Sequence, residues 1–247
     1  MEKKTPLITQ TLAILLFSMI VANIGGQMYG PLMPLYVQQL GASIEQIGLF
    51  FTLAMIAPLM FQILGGWLSD SIGRVQAIAI GSLAGLAGYV VFTVAPSWAW
   101  LLLGMVGIAV ATSFVGPSFQ ALVAEESSEE NRGRTFGLVQ STFLVVGVIG
   151  APLGGFLADQ VGFRWMFAVA AGLYGLATII RVAMARQMRK QQTAPPRRPS
   201  VGNLKASLVT MFGLVTAGGI ITWIFVSDGV SDVTFNMIGN LVPLFFN

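Results

Sequence analysis

Apolar residues fall into long runs broken by short polar punctuation. Six runs precede residue 190, near Leu12–Val37, Ile47–Leu68, Val75–Val94, Trp98–Val123, Thr135–Leu157 and Phe163–Met184. Each is close to or above the ~20 residues a helix needs to cross the hydrocarbon of a bilayer. Lipid offers no partner to an open backbone amide or carbonyl, so such spans are helices. The breaks are short, which predicts antiparallel packing of successive spans. The stretch QMRKQQTAPPRRPSVGN (187–203) is polar and rich in Pro, Gln and Arg, the composition of a linker. Apolar sequence resumes at Ala206–Val226, a seventh span. The pattern therefore divides the chain into a six-helix half (1–186), a linker (187–205) and a start of a further half (206–247).

Composition agrees with lipid as the solvent. Charged residues make up 9% of the 247 positions, against about a quarter in an ordinary soluble domain. The chain has neither Cys nor His, which removes disulfides, thiol chemistry and imidazole acid–base chemistry, and leaves no basis for a metal or cofactor. Spans without paired carboxylates argue against an enzyme. The net charge is small, but its placement is informative. With a cytoplasmic N-terminus, twelve of the 13 Lys and Arg lie on the inner side and only Arg164 lies outside, a positive-inside distribution. The opening MEKKTP is followed by too long an apolar run for a cleaved signal peptide and reads as the approach to an uncleaved span. The partners this predicts are the bilayer of the cell membrane and a small-molecule substrate, not nucleic acid.

Two internal echoes organise the chain. LGGWLSDSIG (64–73) returns as LGGFLADQVG (153–162), with Asp and the last Gly at matched spacing. The first copy closes the second span on the inner side and the second copy closes the fifth span on the outer side. Three-helix units of opposite orientation are the inverted repeats of secondary transporters. MYGPLMPLY (28–36) returns in MIGNLVPLFF (237–246), an offset of 237 − 28 = 209 residues.

The stretch GWLSDSIGR (66–74) resembles the loop between helices two and three of the major facilitator superfamily, and NRGRTFG (131–137) resembles a second loop of that family. The resemblance covers the whole chain and implies an all-α membrane protein. Its expected form is a six-helix bundle of two inverted three-helix repeats, followed by a seventh helix. Members of the family normally have twelve helices, so the resemblance implies a truncated transporter whose other half is missing or is supplied by a second half-protein. It also accounts for the second echo, since helix seven in the family is related to helix one.

Carried over residue by residue, the resemblance makes Gly66, Asp70, Gly73 and Arg74 a gating loop. Gly66 would permit close approach of the other half, Asp70 would join a charge and helix-dipole network, Gly73 would allow the turn and Arg74 would be the basic partner. Ser71, Val75 and Ala77 depart from the basic residues often found there. On the fifth span, GVIGAPLGG (147–155) resembles the Gly–Pro signature of the family's drug exporters, with its Pro displaced by one. Gly147, Gly150, Pro152, Gly154 and Gly155 are accordingly read as a helix-packing motif. In the fourth span Leu103 stands where proton-coupled exporters place an Arg before Gly107.

Asn23, Gln27, Gly30 and Pro34 share one face of the first span. Asn23 and Gln27, with Gln120 and Gln140, are candidates for the substrate cavity, or for hydrogen bonds between helices. Tyr29 and Tyr36 read as interfacial anchors, Arg181 as a cation snorkelling from the inner end of the sixth span, and EESSEENRGR (125–134) as a solvated loop. Asp228 and Asp232 admit two placements. The 209-residue register sets Asp232 opposite Asn23, which makes an acidic site in the cavity, whereas hydropathy leaves both acids outside. The function expected is membrane transport of small molecules by a secondary transporter, with multidrug or amphiphile efflux as the first reading. A solute or sugar facilitator, or a non-transporting half-protein, is the alternative.

Overall fold

The computed structural model describes residues 8–191 and a sparser set of positions between 210 and 234, with backbone alone at Leu59, Ile63 and Gln191. Within 8–191 the chain is helical almost throughout: α1 (Gln10–Tyr29), a 3-10 turn (Gly30–Leu32), α2 (Met33–Gln39), α3 (Ile44–Ile72), α4 (Arg74–Val94), α5 (Trp98–Glu126), α6 (Arg132–Val161) and α7 (Phe163–Gln191). Six stretches are long and apolar enough to cross a membrane, with α1, the turn and α2 forming the first. The protein is a multi-pass membrane protein.

Side-chain caps start the first two spans. Ser43 accepts from the Gln46 backbone and Gln46 Oε1 accepts from the Ser43 amide, a capping box that starts α3. Thr9 caps α1 and also donates 2.6 Å to Glu126 at the end of α5. The first span is jointed, not the single helix that hydropathy suggests. Pro31 and Pro34 in MYGPLMPLY lack the amide that a helix interior requires, and a 3-10 turn takes up the break.

The two copies of the inverted repeat are visible in the packing. α3 lies against α5, and α6 lies against α1; α4 and α7 pack on each other in the middle and each also covers the first helix of the other repeat. Matched glycines set these approaches. A Cβ at Gly65 would sit 2.1 Å from the Ser113 carbonyl oxygen, and one at Gly154 would sit 1.9 Å from that of Met28. The copies end alike too, at Gly73 (φ 105°) and Gly162 (φ 84°), whose amides donate back to Ser69 and Ala158. L-residues with a side chain rarely adopt these angles.

Apolar packing forms two clusters. One gathers Tyr36, Tyr89, Phe92, Phe167 and Tyr174 near the α2 end; the other gathers Leu12, Leu15, Val75, Ile78, Phe119 and Leu122 near the opposite end. By contrast α3 and α6 bury only 19% and 17% of their most apolar windows, against 39–50% for the other spans.

The seventh run lies largely outside the described residues, as do the linker beyond Gln191, Asp232 and the closing echo. Thr210, Gly213 and Thr216 are helical; Gly218 and Gly219 then take φ of 77° and 80°, and helix resumes at Ile220. Adjacent positive-φ residues interrupt a right-handed helix, so 206–226 is not one continuous helix. The restart falls where the 209-residue register places the first turn of α1. Asp228 is helical and exposed.

Candidate functional site

The loop between α3 and α4 holds a compact polar network. Arg74, first residue of α4, pairs with Asp70 one turn earlier, and its Nε donates 2.9 Å to Glu125 Oε1 in the last turn of α5. Its Nη1 also donates 3.2 Å to Ser69 Oγ, which accepts a 2.8 Å bond from buried Ser118. One guanidinium thus ties three helix ends. Glu125, expected in a solvated loop, is a helical member of this network. Gly66 faces open space within 4 Å, and the intimate approach is made by Gly65. Asp159, the counterpart of Asp70 in the second copy, makes no ion pair among the described residues and accepts only from its neighbour Gln160.

The second feature is a cavity of about 240 Å³ between α1, α4, α5 and α7. Met19, Asn23, Tyr29, Tyr89, Tyr174 and Arg181 are among its walls, so the lining is mostly apolar and aromatic with few polar groups. Tyr29 meets Tyr89 edge-on at 5.5 Å, and Tyr89 lies 4.8 Å from Tyr174. Such walls suit flat or amphiphilic molecules. Of the four candidate amides only Asn23 borders the cavity, and its Nδ2 donates 2.8 Å to the Met19 carbonyl. Gln27, Gln120 and Gln140 are exposed. Gln27 lies over α6, where a Cβ at Gly150 would come within 2.5 Å of its own Cβ. Gly150 and Gly154 therefore seat α6 on α1, while Gly155 faces open space and Pro152 is exposed.

Two expectations need correction. Tyr36 is 2% exposed and donates 3.0 Å to the Phe92 carbonyl; it is core, not an interfacial anchor, because its ring closes the Phe163–Phe167 stack. Arg181 is 1% exposed and does not snorkel. α7 continues to Gln191, ten residues beyond it, so Arg181 lies about 15 Å from the helix end at 1.5 Å per residue. The sequence signal was its face. Tyr174, Ala177, Thr178 and Ala185 follow helical spacing with Arg181, and all are buried.

The guanidinium is held by neutral groups. Nε donates 3.1 Å to Ser18 Oγ, Nη1 donates 2.8 Å to Ser82 Oγ, and Nη2 donates to the Ser18 carbonyl and to Met19 Sδ. Ser18 and Ser82 each donate their own hydroxyl proton to a carbonyl of their helix, at 2.7 Å, which leaves lone pairs facing Arg181. The Tyr174 ring lies 5.8 Å from the guanidinium carbon. Arg181 is the only buried charge among the described residues, and it makes no ion pair with any of them.

Comparison with known proteins adds identity to this geometry. Quinolone resistance protein NorA of Staphylococcus aureus (strain MRSA252) is 25% identical over 181 residues, 73% of this chain and 46% of NorA. Multi-drug resistance efflux pump PmrA of Streptococcus pneumoniae serotype 4 is 28% identical over 162 residues, 64% of this chain and 40% of PmrA. The chain thus spans about half the length of the curated relatives it matches. A mutant of the peptide transporter POT in complex with sulfate shares the fold, with a TM-score of 0.66 at 19% identity over 96% of this chain and 51% of that one. The model of the Major Facilitator Superfamily matches residues 15–247, and on that match, with the inverted repeats and the six spans, the chain belongs to this superfamily.

Proposed function

We propose that this chain forms the N-terminal half of a secondary transporter that exports amphiphilic small molecules across the cell membrane, by transport and not chemical conversion. The observation that carries the reading is the aromatic cavity between the two repeats, with Tyr29, Tyr89, Tyr174 and Asn23 on its walls. The names of NorA and PmrA, a resistance protein and an efflux pump, favour export over uptake. Residues 1–186 make the half, 187–205 a cytoplasmic linker, and 206–247 the beginning of a second half. That second half, in the same chain or another, covers the open apolar faces of α3 and α6. Gly66 and Gly155, which face open space, admit it closely.

The basic residues orient the protein with its N-terminus in the cytoplasm. The Asp70–Arg74–Glu125 network then lies at the cytoplasmic end and holds it shut in one of the two states of alternating access. The helix restart at Ile220 favours the register in which Asp232 stands opposite Asn23, an acidic group for the second wall of the cavity.

Efflux of a fluorescent amphiphilic dye from cells carrying the assembled transporter tests the reading, with and without a protonophore. Dye retention that falls on expression and recovers with protonophore supports proton-driven export. Export that ignores the protonophore removes the antiport version, and no export removes the efflux reading.

A further inference from the structure

We infer that Arg181 makes the cavity a receptor for an anionic group, and that the molecules bound there carry a carboxylate or comparable acid on an aromatic or apolar body. The inference deepens the transporter reading and rests on it only for the ligand's being cargo; binding does not depend on it.

A guanidinium taken out of water needs a counter-charge or full hydrogen bonding, and a charge buried in a membrane span is costly enough that it marks function by default. Arg181 is wholly enclosed by the protein, yet it borders the cavity. The described carboxylates, Glu45, Asp70, Glu125, Glu126, Glu129, Glu130, Asp159 and Asp228, all lie in the first or last turns of helices, in connections or in the tail after the linker. The serines on α1 and α4 orient the fork without neutralising it. Ser18 holds Nε and part of Nη2, and Ser82 holds Nη1 through a single bond. The Tyr174 hydroxyl is a further hydrogen-bond partner of the fork, and it too is neutral. Held this way, the guanidinium is rigid, pre-ordered and still positive, the condition under which Arg recognises a carboxylate. Tyr174 beside it, with Tyr29 and Tyr89 beyond, would seat an aromatic body. Gly116 on the facing wall has no atom within 4 Å of a Cβ position, so this side of the cavity is open to cargo.

The test uses the 247-residue chain in nanodiscs and two environment-sensitive probes that differ in one group, dansylglycine and neutral dansylglycinamide. Wild type should bind the acid at least tenfold more tightly than the amide. Arg181→Gln should abolish that preference while amide binding stays within about threefold, Arg181→Lys should restore part of it, and Arg186→Gln, an exposed cation on the same helix, should leave it unchanged. Size-exclusion profiles of the variants report folding. If Arg181→Gln does not fold, the wild-type ratio and the Gly116→Leu variant, which should weaken both probes together, still decide the matter. Equal binding of acid and amide by wild type, as expected if Arg181 is neutralised by a carboxylate of the protein, overturns the inference. So does an acid preference that survives Arg181→Gln. Acid-selective binding without any dye export leaves the inference standing and removes the efflux reading alone.

Discussion

The two copies of one ten-residue motif, 64–73 and 153–162, share their backbone and differ in their chemistry. Both seat a glycine against a carbonyl oxygen of a neighbouring helix, at Gly65 and Gly154, and both end on a positive-φ glycine, at Gly73 and Gly162. Only the first is wired. Its Asp70 meets Arg74, which reaches Glu125 and Ser69, whereas Asp159 in the second copy meets no cation among the described residues. Ala158 replaces Ser69, and Phe163, stacked on Tyr36, replaces Arg74. The shared glycines build the fold; the unshared polar groups make one end of the bundle different from the other.

The largest effects should fall on the shared part and be equal in both copies. Gly65→Leu and Gly154→Leu each drive side-chain atoms into backbone that has no rotamer to yield, and overpacking of this kind costs ~1–3 kcal/mol or more. Both should lose the monodisperse size-exclusion peak, while Gly66→Ala and Gly155→Ala keep it. Survival of either leucine variant would break the symmetry of the packing account. Next come Gly73→Ala and Gly162→Ala, which impose a backbone conformation costing roughly 1–3 kcal/mol and should lower thermal stability by similar amounts.

Smaller effects should separate the copies. Ser69→Ala makes the first copy read like the second and removes the hydroxyl that accepts from buried Ser118. Leaving that donor without its partner costs ~1–3 kcal/mol, whereas Ala158→Ser should gain nothing comparable in a thermal melt. Asp70→Asn should hardly move stability, by less than ~1 kcal/mol, because Asp70 is 67% exposed and exposed pairs are weak. Its effect should appear in the balance between open and closed states, and Asp159→Asn should show none.

The fold was legible because lipid makes apolar length decisive. The six spans follow from it, and their ends were short where polar residues such as Ser43 with Gln46, or the last turn Ser69–Ile72, carry a helix past its apolar run. Asp70 and Arg74 were legible as partners through the resemblance of GWLSDSIGR to the family's loop. Glu125 was not, since it comes from a helix 51 positions away and its neighbours read as a solvated loop. Arg181 was misplaced because the apolar run ends at Met184, although the helix carries its polar residues on to Gln191. The shared helical face of Asn23 and Gln27 was legible, but not that Asn23 borders the pocket within this half while Gln27 lies exposed over α6.

Gating by the wired copy is tested most directly by a single cysteine in this cysteine-free chain. Gly116→Cys places a thiol on the cavity wall, and a membrane-impermeant maleimide applied from the cytoplasmic face of vesicles carrying the assembled transporter reports its access. Adding Asp70→Asn should raise the labelling rate several-fold from that face, and adding Asp159→Asn should leave it unchanged. Equal rates in all three proteins, or an increase with Asp159→Asn as large as with Asp70→Asn, would contradict the account.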